Sequence, residues 1–253
     1  MFIADAPVIK VIELDHDIFV IKLNCPQISS ITRPGEFVNV KVTETIHPLL
    51  RRPFSICDVE DDNIYLMFNI FGEGTKMLAG KRPGDTLNIL GPLGKGFKTE
   101  DDFETAVIVA GGLGAAPFPF LTRVLKNKKD ILSFIGGRTG KDVITYGMIN
   151  RYTATDDGSI GHKGNVVNLL EKNIELLKKN KIKIFGCGPN AMLRALKEFA
   201  LKYDFNCEVS TECAMACGFG ICQGCPIESI SNPDKYLLVC KDGPVFNVKD
   251  VII

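Results

Sequence analysis

Neither sign of charge prevails in this 253-residue chain: 30 Lys and Arg are met by 30 Asp and Glu. So balanced a surface carries no electrostatic footprint for nucleic acid or an anionic membrane, and neither is expected as a partner. Long apolar runs are missing too. The longest, AVIVAGGLGAAPFPFL, is broken by Gly and Pro and is too short to cross a bilayer. The first residues, MFIADAPVIKVIELD, hold no basic stretch followed by an apolar one, so a cytoplasmic location without a signal peptide is expected. Histidine is scarce: His16, His47 and His162 are scattered without metal-ligand spacing and read as surface or hydrogen-bonding residues. Nucleophile elbow, H-E-x-x-H and Walker loop are all absent.

What the chain has in quantity is thiol. Nine cysteines form an odd set, and five of them crowd near the C-terminus, which in a reducing compartment suits a metal site better than a disulfide framework. With 45% hydrophobic residues the chain can bury a real core and divide into two or three domains. Residues 1–100 carry β-branched and aromatic runs (VIKVIELDHDIFVIKLN, EFVNVKV, NIYLMFNI) separated by turn signals, which predicts a small antiparallel barrel. Residues 101–210 change character. Strand, glycine turn, helix and strand follow one another in TAVIVAGGLGAAPFPFLTRVLKNKKDILSFIGG and again in IKIFGCGPNAMLRALKEFALKYDFNCEVS, which predicts a parallel α/β domain. Residues 211–253 are cysteine-rich with no helical period, a third and smaller domain.

In ECAMACGFGICQGCPI, Cys217, Cys222 and Cys225 fit C-x4-C-x2-C, and Cys240 supplies a distant fourth thiol: the spacing of a plant-type [2Fe-2S] site. Gly218, Gly220 and Gly224 let such a loop wrap a cluster with its amides toward the sulfurs. Structural zinc is the alternative, although such sites usually pair two short C-x2-4-C units. Cys207 and Cys213 are surplus, Cys213 being close enough to compete as a ligand. Cys25 and Cys57 read as small buried hydrophobes. A cluster moves single electrons and calls for a nearby group to exchange them with.

Two stretches of the first domain suit a flavin dinucleotide. In LLRRPFSI, Arg52 can pair with pyrophosphate oxygens while Phe54 packs on the ring system and Ser55 reaches it; a Pro-broken edge strand is the plain alternative. FGEGTKML sets Gly72, Gly74 and Thr75 at a turn into a helix N-terminus, where amides bind phosphate or simply cap the helix. In the second domain VIVAGGLGAAP places Gly112 and Gly114 between strand and helix, with Pro117 expected in the first helical turn. Its G-x-G-x-x-P departs from the dinucleotide fingerprint. FGCGPNAML is a second such turn, where Cys187 reads as a buried thiol or as a neighbour of bound nicotinamide.

R-P-F-S and G-E-G-T in a barrel, then G-G-x-G-x-x-P and C-G-P-x-x-M in an α/β domain, resemble the ferredoxin–NADP reductase superfamily over residues 1 to about 210. MACGFGICQGC…VCKDGPVF, PLLRRPFSI and TDDGSIGHKG extend the resemblance over the whole chain to one branch, the electron-transfer subunits of type B dihydroorotate dehydrogenase. That resemblance implies FAD held by Arg52, Pro53, Phe54 and Ser55, by Met67, Phe68 and Asn69, and by Gly74 and Thr75. It implies a [2Fe-2S] cluster on Cys217, Cys222, Cys225 and Cys240, and NAD as co-substrate. It also implies an FMN-containing catalytic subunit as partner, in a heterotetramer with two of each, which oxidises dihydroorotate in pyrimidine biosynthesis. Electrons would pass through cluster and FAD to NAD+, a flavin being needed between one-electron and two-electron carriers, and no side chain here need act as acid or base. Arg138 leaves the nicotinamide open, since it stands where an acidic residue would favour NAD and an Arg a 2′-phosphate. Asp156 and Asp157 reach a ribose or form a plain Asp-Asp-Gly surface turn. Two other readings share these features: the flavin subunit of another oxidoreductase (hydrogenase, sulfite reductase or transhydrogenase type) and a zinc-stapled, non-redox binding protein.

Overall fold

The computed structural model describes residues 1–15, 17–232 and 234–253, so His16 lies outside the described residues. Six strands form the first body: β1 (Phe2–Asp15), β2 (Ile18–Asn24), β3 (Phe37–Lys41), β4 (Arg52–Glu60), β5 (Asn63–Asn69) and β6 (Thr86–Leu93). They close into an antiparallel barrel in the order β1-β2-β5-β4-β3-β6. Short helices α1 (Pro26–Ser29) and α2 (Glu73–Ala79) fill its connections. Alternation does the sorting. On β5, Ile64, Leu66 and Phe68 point into the barrel, while Tyr65 and Met67 face the core shared with the next body. On β3, Val38 and Val40 point inward, and Phe37 faces the C-terminal segment.

The second body is a seven-stranded sheet. Its strands are β7 (Thr105–Gly111), β8 (Asp130–Gly137), β9 (Arg151–Thr155), β10 (His162–Lys163), β11 (Ile182–Cys187), β12 (Asn206–Ser210) and an edge strand, Val245–Asn247. The order is β10-β9-β8-β7-β11-β12 and then the edge strand, which alone runs antiparallel. Helices α3 (Phe118–Leu125), α4 (Val166–Lys172), α5 (Ile174–Leu177) and α6 (Asn190–Lys202) supply the crossovers. β7 and β11 are buried end to end, as central parallel strands must be. The chain leaves β7 toward β8 and returns on its other side as β11, so the switch point lies between the C-terminal ends of those two strands. Pro117 stands just before α3, after a single 3-10 turn over Gly112–Ala115, rather than inside the first helical turn as expected.

The cysteine-rich remainder contains a hairpin, β13 (Pro226–Glu228) with β14 (Tyr236–Leu238), and the four-residue helix α7 (Val239–Asp242). The edge strand β15 (Val245–Asn247) also comes from this stretch and joins β12, so the segment is stitched into the α/β sheet. Its apolar side packs Leu238, Cys225 and Cys240 against Phe37, Leu90 and Leu93 of the barrel.

Barrel and sheet are held together by paired charges and aromatic rings. Arg123 on α3 donates two hydrogen bonds to Asp58 on β4, at 2.8 and 2.6 Å. Phe97, in the connection, stacks on Phe118 and meets Phe185 edge-on. Fully buried Lys183 on β11 reaches Asp101 (2.5 Å), Glu208 (3.1 Å) and the Lys98 carbonyl (2.8 Å). That network satisfies the ammonium's three donors, without which its burial would be prohibitive.

Candidate electron-transfer site

A cleft opens where the barrel, the 3-10 turn after β7 and the start of the cysteine-rich stretch converge. Pro53, Phe54, Ser55, Met67, Phe68, Asn69 and Thr75, seven residues singled out from sequence, all line it. They do so because β4 and β5 are neighbours in the barrel and α2 follows β5 directly. Phe54 is largely buried and packs against Phe68 in the barrel core, with ring centres 5.8 Å apart, so only a small part of its ring faces the cleft. Arg52 and Gly74 stand beside this wall and against each other: a methyl group on Gly74 would lie 3.3 Å from Arg52 Nε. The Thr75 hydroxyl oxygen accepts hydrogen bonds from the N–H groups of Phe71 and Gly72, at 2.9 and 3.1 Å. Its part is to close the turn before α2, and those two amides are already used.

The opposite wall is formed by Ser210, Thr211, Glu212, Met215 and Pro244, which sequence reasoning missed, and by Cys213, which it named only as a surplus thiol. They lie more than 130 positions beyond Thr75, and no local pattern marks them. The Glu212 residue is open to solvent overall, but desolvation of its carboxyl group within this wall raises its pKa.

A second cavity, of about 510 Å³, lies over the ends of β7 and β8, the crevice where open parallel sheets take ligands. Gly112, Arg138 and Asp156 line it. Asp157 does not, being occupied with the Ser159 amide and hydroxyl at 2.9 and 2.6 Å. Gly114 is not among its walls either. A methyl group there would stand 2.4 Å from the Cys187 carbonyl oxygen, so this glycine lets two turns touch. The Cys187 thiol is buried in the core, and burial pushes its pKa well up, as it does for Cys207. Leu113 lines both cavities, and there the two spaces meet.

The four thiols expected as ligands fall into two pairs, Cys217 with Cys222 and Cys225 with Cys240. Cys225 and Cys240 are 3.2 Å apart at sulfur, and the Cys222 amide is 3.4 Å from Cys217 Sγ. Among the described residues no three His, Cys, Asp or Glu side chains close into a finished ligand set. The loop nevertheless fits thiolate chemistry. Burial pushes the Cys217 thiol up, but the backbone N–H groups of Cys222, Phe219 and Ile221 and the Cys222 side chain outweigh it and bring the pKa to about 6. Amides directed at a sulfur are what an anionic iron–sulfur centre needs. Burial, with Cys225 beside it, raises the pKa of surplus Cys213 to about 11. His47 pairs with Glu73 at 2.8 Å and His162 lies beside Lys172 at 3.3 Å; neither lines the two cavities.

An antiparallel barrel and a parallel sheet that share a cleft, with a second crevice adjoining it at Leu113, define the ferredoxin–NADP reductase fold. Solved structures agree on that fold. An NADH-dependent reduced ferredoxin-NADP oxidoreductase superposes with a TM-score of 0.85 at 24% identity, over 98% of this chain and 89% of its own. Ferredoxin-NADP+ reductase from Plasmodium falciparum does so with 0.63 at 14% identity, over 82% and 96%. Residues 212–252 match the iron-sulfur cluster binding domain of dihydroorotate dehydrogenase B. Over 95% of this chain and 95% of theirs, the electron transfer subunit of NAD(+)-dependent dihydroorotate dehydrogenase B from Bacillus velezensis is 35% identical; that from Desulforamulus reducens is 34% identical, over 96% and 95%. The chain belongs to this family of electron transfer subunits. No helix among the described residues is long and apolar enough to cross a membrane.

Proposed function

We propose that this chain carries electrons between an FMN-containing dihydroorotate dehydrogenase subunit and NAD+, with the thiol loop, the cleft and the crevice as three successive stations. One observation carries the order: the first cleft has Leu113 in common with the nucleotide crevice on one side and is walled by Cys213 and Met215 of the thiol loop on the other. FAD in the cleft would exchange electrons singly with an iron–sulfur centre and in pairs with a nicotinamide.

The chain's own residues bind and shield. Arg52 would neutralise pyrophosphate beside Gly74, while Pro53, Ser55, Met67 and Asn69 would shape the flavin wall. Gly112 admits the dinucleotide, and Gly114 holds the Cys187 turn close enough to close the floor. Cys217, Cys222, Cys225 and Cys240 would hold the cluster as thiolates. The units are 1–100 for FAD, 101–210 for NAD and 211–253 for the cluster, with β15 returning from the last to the sheet of the second. We assign the assembly as two copies of each subunit, in the cytoplasm. The test is anaerobic: the complex, isolated through a tag on this chain, is given dihydroorotate and NAD+. Reduction of NAD+ supports the reading, and a brown, flavin-rich preparation inert to dihydroorotate would assign the module to another oxidoreductase.

A further inference from the structure

Asn39 sits on barrel strand β3, one residue from Val38 and Val40, whose side chains enter the barrel core. It therefore points outward. A register shift between Phe37 and Asn39 on the β3–β6 edge marks a bulge, a device that re-aims side chains near functional sites. What Asn39 meets there is the first turn of the thiol loop. Its Nδ2 donates a hydrogen bond to the Cys217 carbonyl at 3.1 Å. A methyl group on Gly218 would fall 2.0 Å from that same nitrogen, so the loop lies flush on the amide. Phe37 and Leu93, packed on this side, are apolar and join a cluster with Cys225 and Cys240.

A polar residue in such a contact carries a cost. Asn39 is 1% exposed, and its Oδ1 is buried without a hydrogen-bond partner. Turning the amide over would set two oxygens against each other at the Cys217 carbonyl, so the orphan cannot be relieved that way. A buried acceptor left unpaired calls for a reason. Position supplies one: in the β3–β4 ladder Asn39 stands opposite Pro53 of the flavin strand. We infer that Asn39 is a positioning residue for the iron–sulfur centre, fixing Cys217 at a set height above the strand that walls the flavin cleft. This rests on reading Cys217 as a cluster ligand.

The test uses the whole complex, prepared without oxygen, with Asn39→Leu, which removes the donor and the orphan at similar volume, and Asn39→Asp, which keeps the shape but turns a carboxylate toward the carbonyl. In both, iron should leave to a chelator roughly tenfold faster, matching one buried hydrogen bond at about 1.4 kcal/mol per decade. The electron paramagnetic resonance signal of the reduced cluster should change in both and FAD content stay as in the unmodified complex; thermal unfolding followed by circular dichroism should stay unchanged in Asn39→Leu, whereas the buried carboxylate of Asn39→Asp lowers it. A cluster signal and release rate unchanged in both variants overturn the inference, and so does a loss of thermal stability without a change at the cluster. Cys217→Ser separates the underlying assumption. If it keeps full iron and sulfide, the ligand set is wrong; if it loses them while the Asn39 variants behave normally, only the role of Asn39 fails.

Discussion

Replacing Gly114 by Ala tests whether this glycine serves packing rather than contact with a nucleotide. Its added methyl would stand 2.4 Å from the Cys187 oxygen, 2.5 Å from the Cys187 carbonyl carbon and 2.6 Å from Gly188 Cα. All three are backbone atoms and cannot swing aside as a side-chain end can. The turns after β7 and β11 must separate, an overpacking cost of about 1–3 kcal/mol. For a protein of this size each kcal/mol lowers Tm by about 2–4 °C, so a fall of roughly 2–12 °C is expected in thermal unfolding of the FAD-loaded complex. Gly112→Ala is the comparison. Nothing lies within 4 Å of its new methyl, but its φ of +54° is left-handed, which costs about 1–2 kcal/mol. Since Gly112 lines the crevice and Gly114 does not, Gly112→Ala should raise the KM for NAD+ more for each degree of Tm lost. Equal Tm values for Gly114→Ala and the unmodified complex would refute the steric reasoning. A Gly114→Ala variant with full stability and lost NAD+ binding would restore the contact role.

Lys183→Met strands buried Glu208 without its cation and should destabilise the protein by about 3–5 kcal/mol, read as denaturant midpoint; Lys183→Met with Glu208→Leu should recover much of it. Burial raises the Asp101 pKa, but the hydrogen bond and charge of Lys183 more than offset this and leave it below the ordinary carboxylate value. A depressed carboxylate lends stability above its unfolded pKa, near 4, that is lost as pH falls through its folded value, so Lys183→Met should flatten the acid limb of the stability profile. Arg52→Ala should weaken FAD by about 10- to 100-fold, the worth of a charged hydrogen bond, in a fluorescence titration of the flavin-free protein. Asp156→Ser should lower kcat/KM for NADH and raise it for NADPH in a dye-reduction assay, because both Asp156 and Arg138 line the crevice and only the carboxylate repels a 2′-phosphate. A ratio that stays fixed would remove Asp156 from nucleotide choice.

Local chemistry made much of the molecule legible in advance. Alternating β-branched runs gave the barrel, strand–glycine–helix order gave the parallel sheet, and C-x4-C-x2-C with a distant fourth thiol gave the cluster loop, since each pattern reflects a constraint acting within one short segment. Seven of the residues named for a flavin line one cleft because β4, β5 and α2 are consecutive in the chain and adjacent in space. Tertiary structure alone decided what is made by distant segments. Gly114 became a packing residue because of Cys187, more than 70 positions away, and Leu113 became the wall between two cavities because two bodies meet there. Residues 210–213 and Met215 wall the first cleft, β15 completes a sheet begun at Thr105, and Asn39 meets Cys217 across 178 positions. Periodicity reports which face of a segment is buried; what covers that face depends on how the segments dock, and docking joins residues that no local pattern relates.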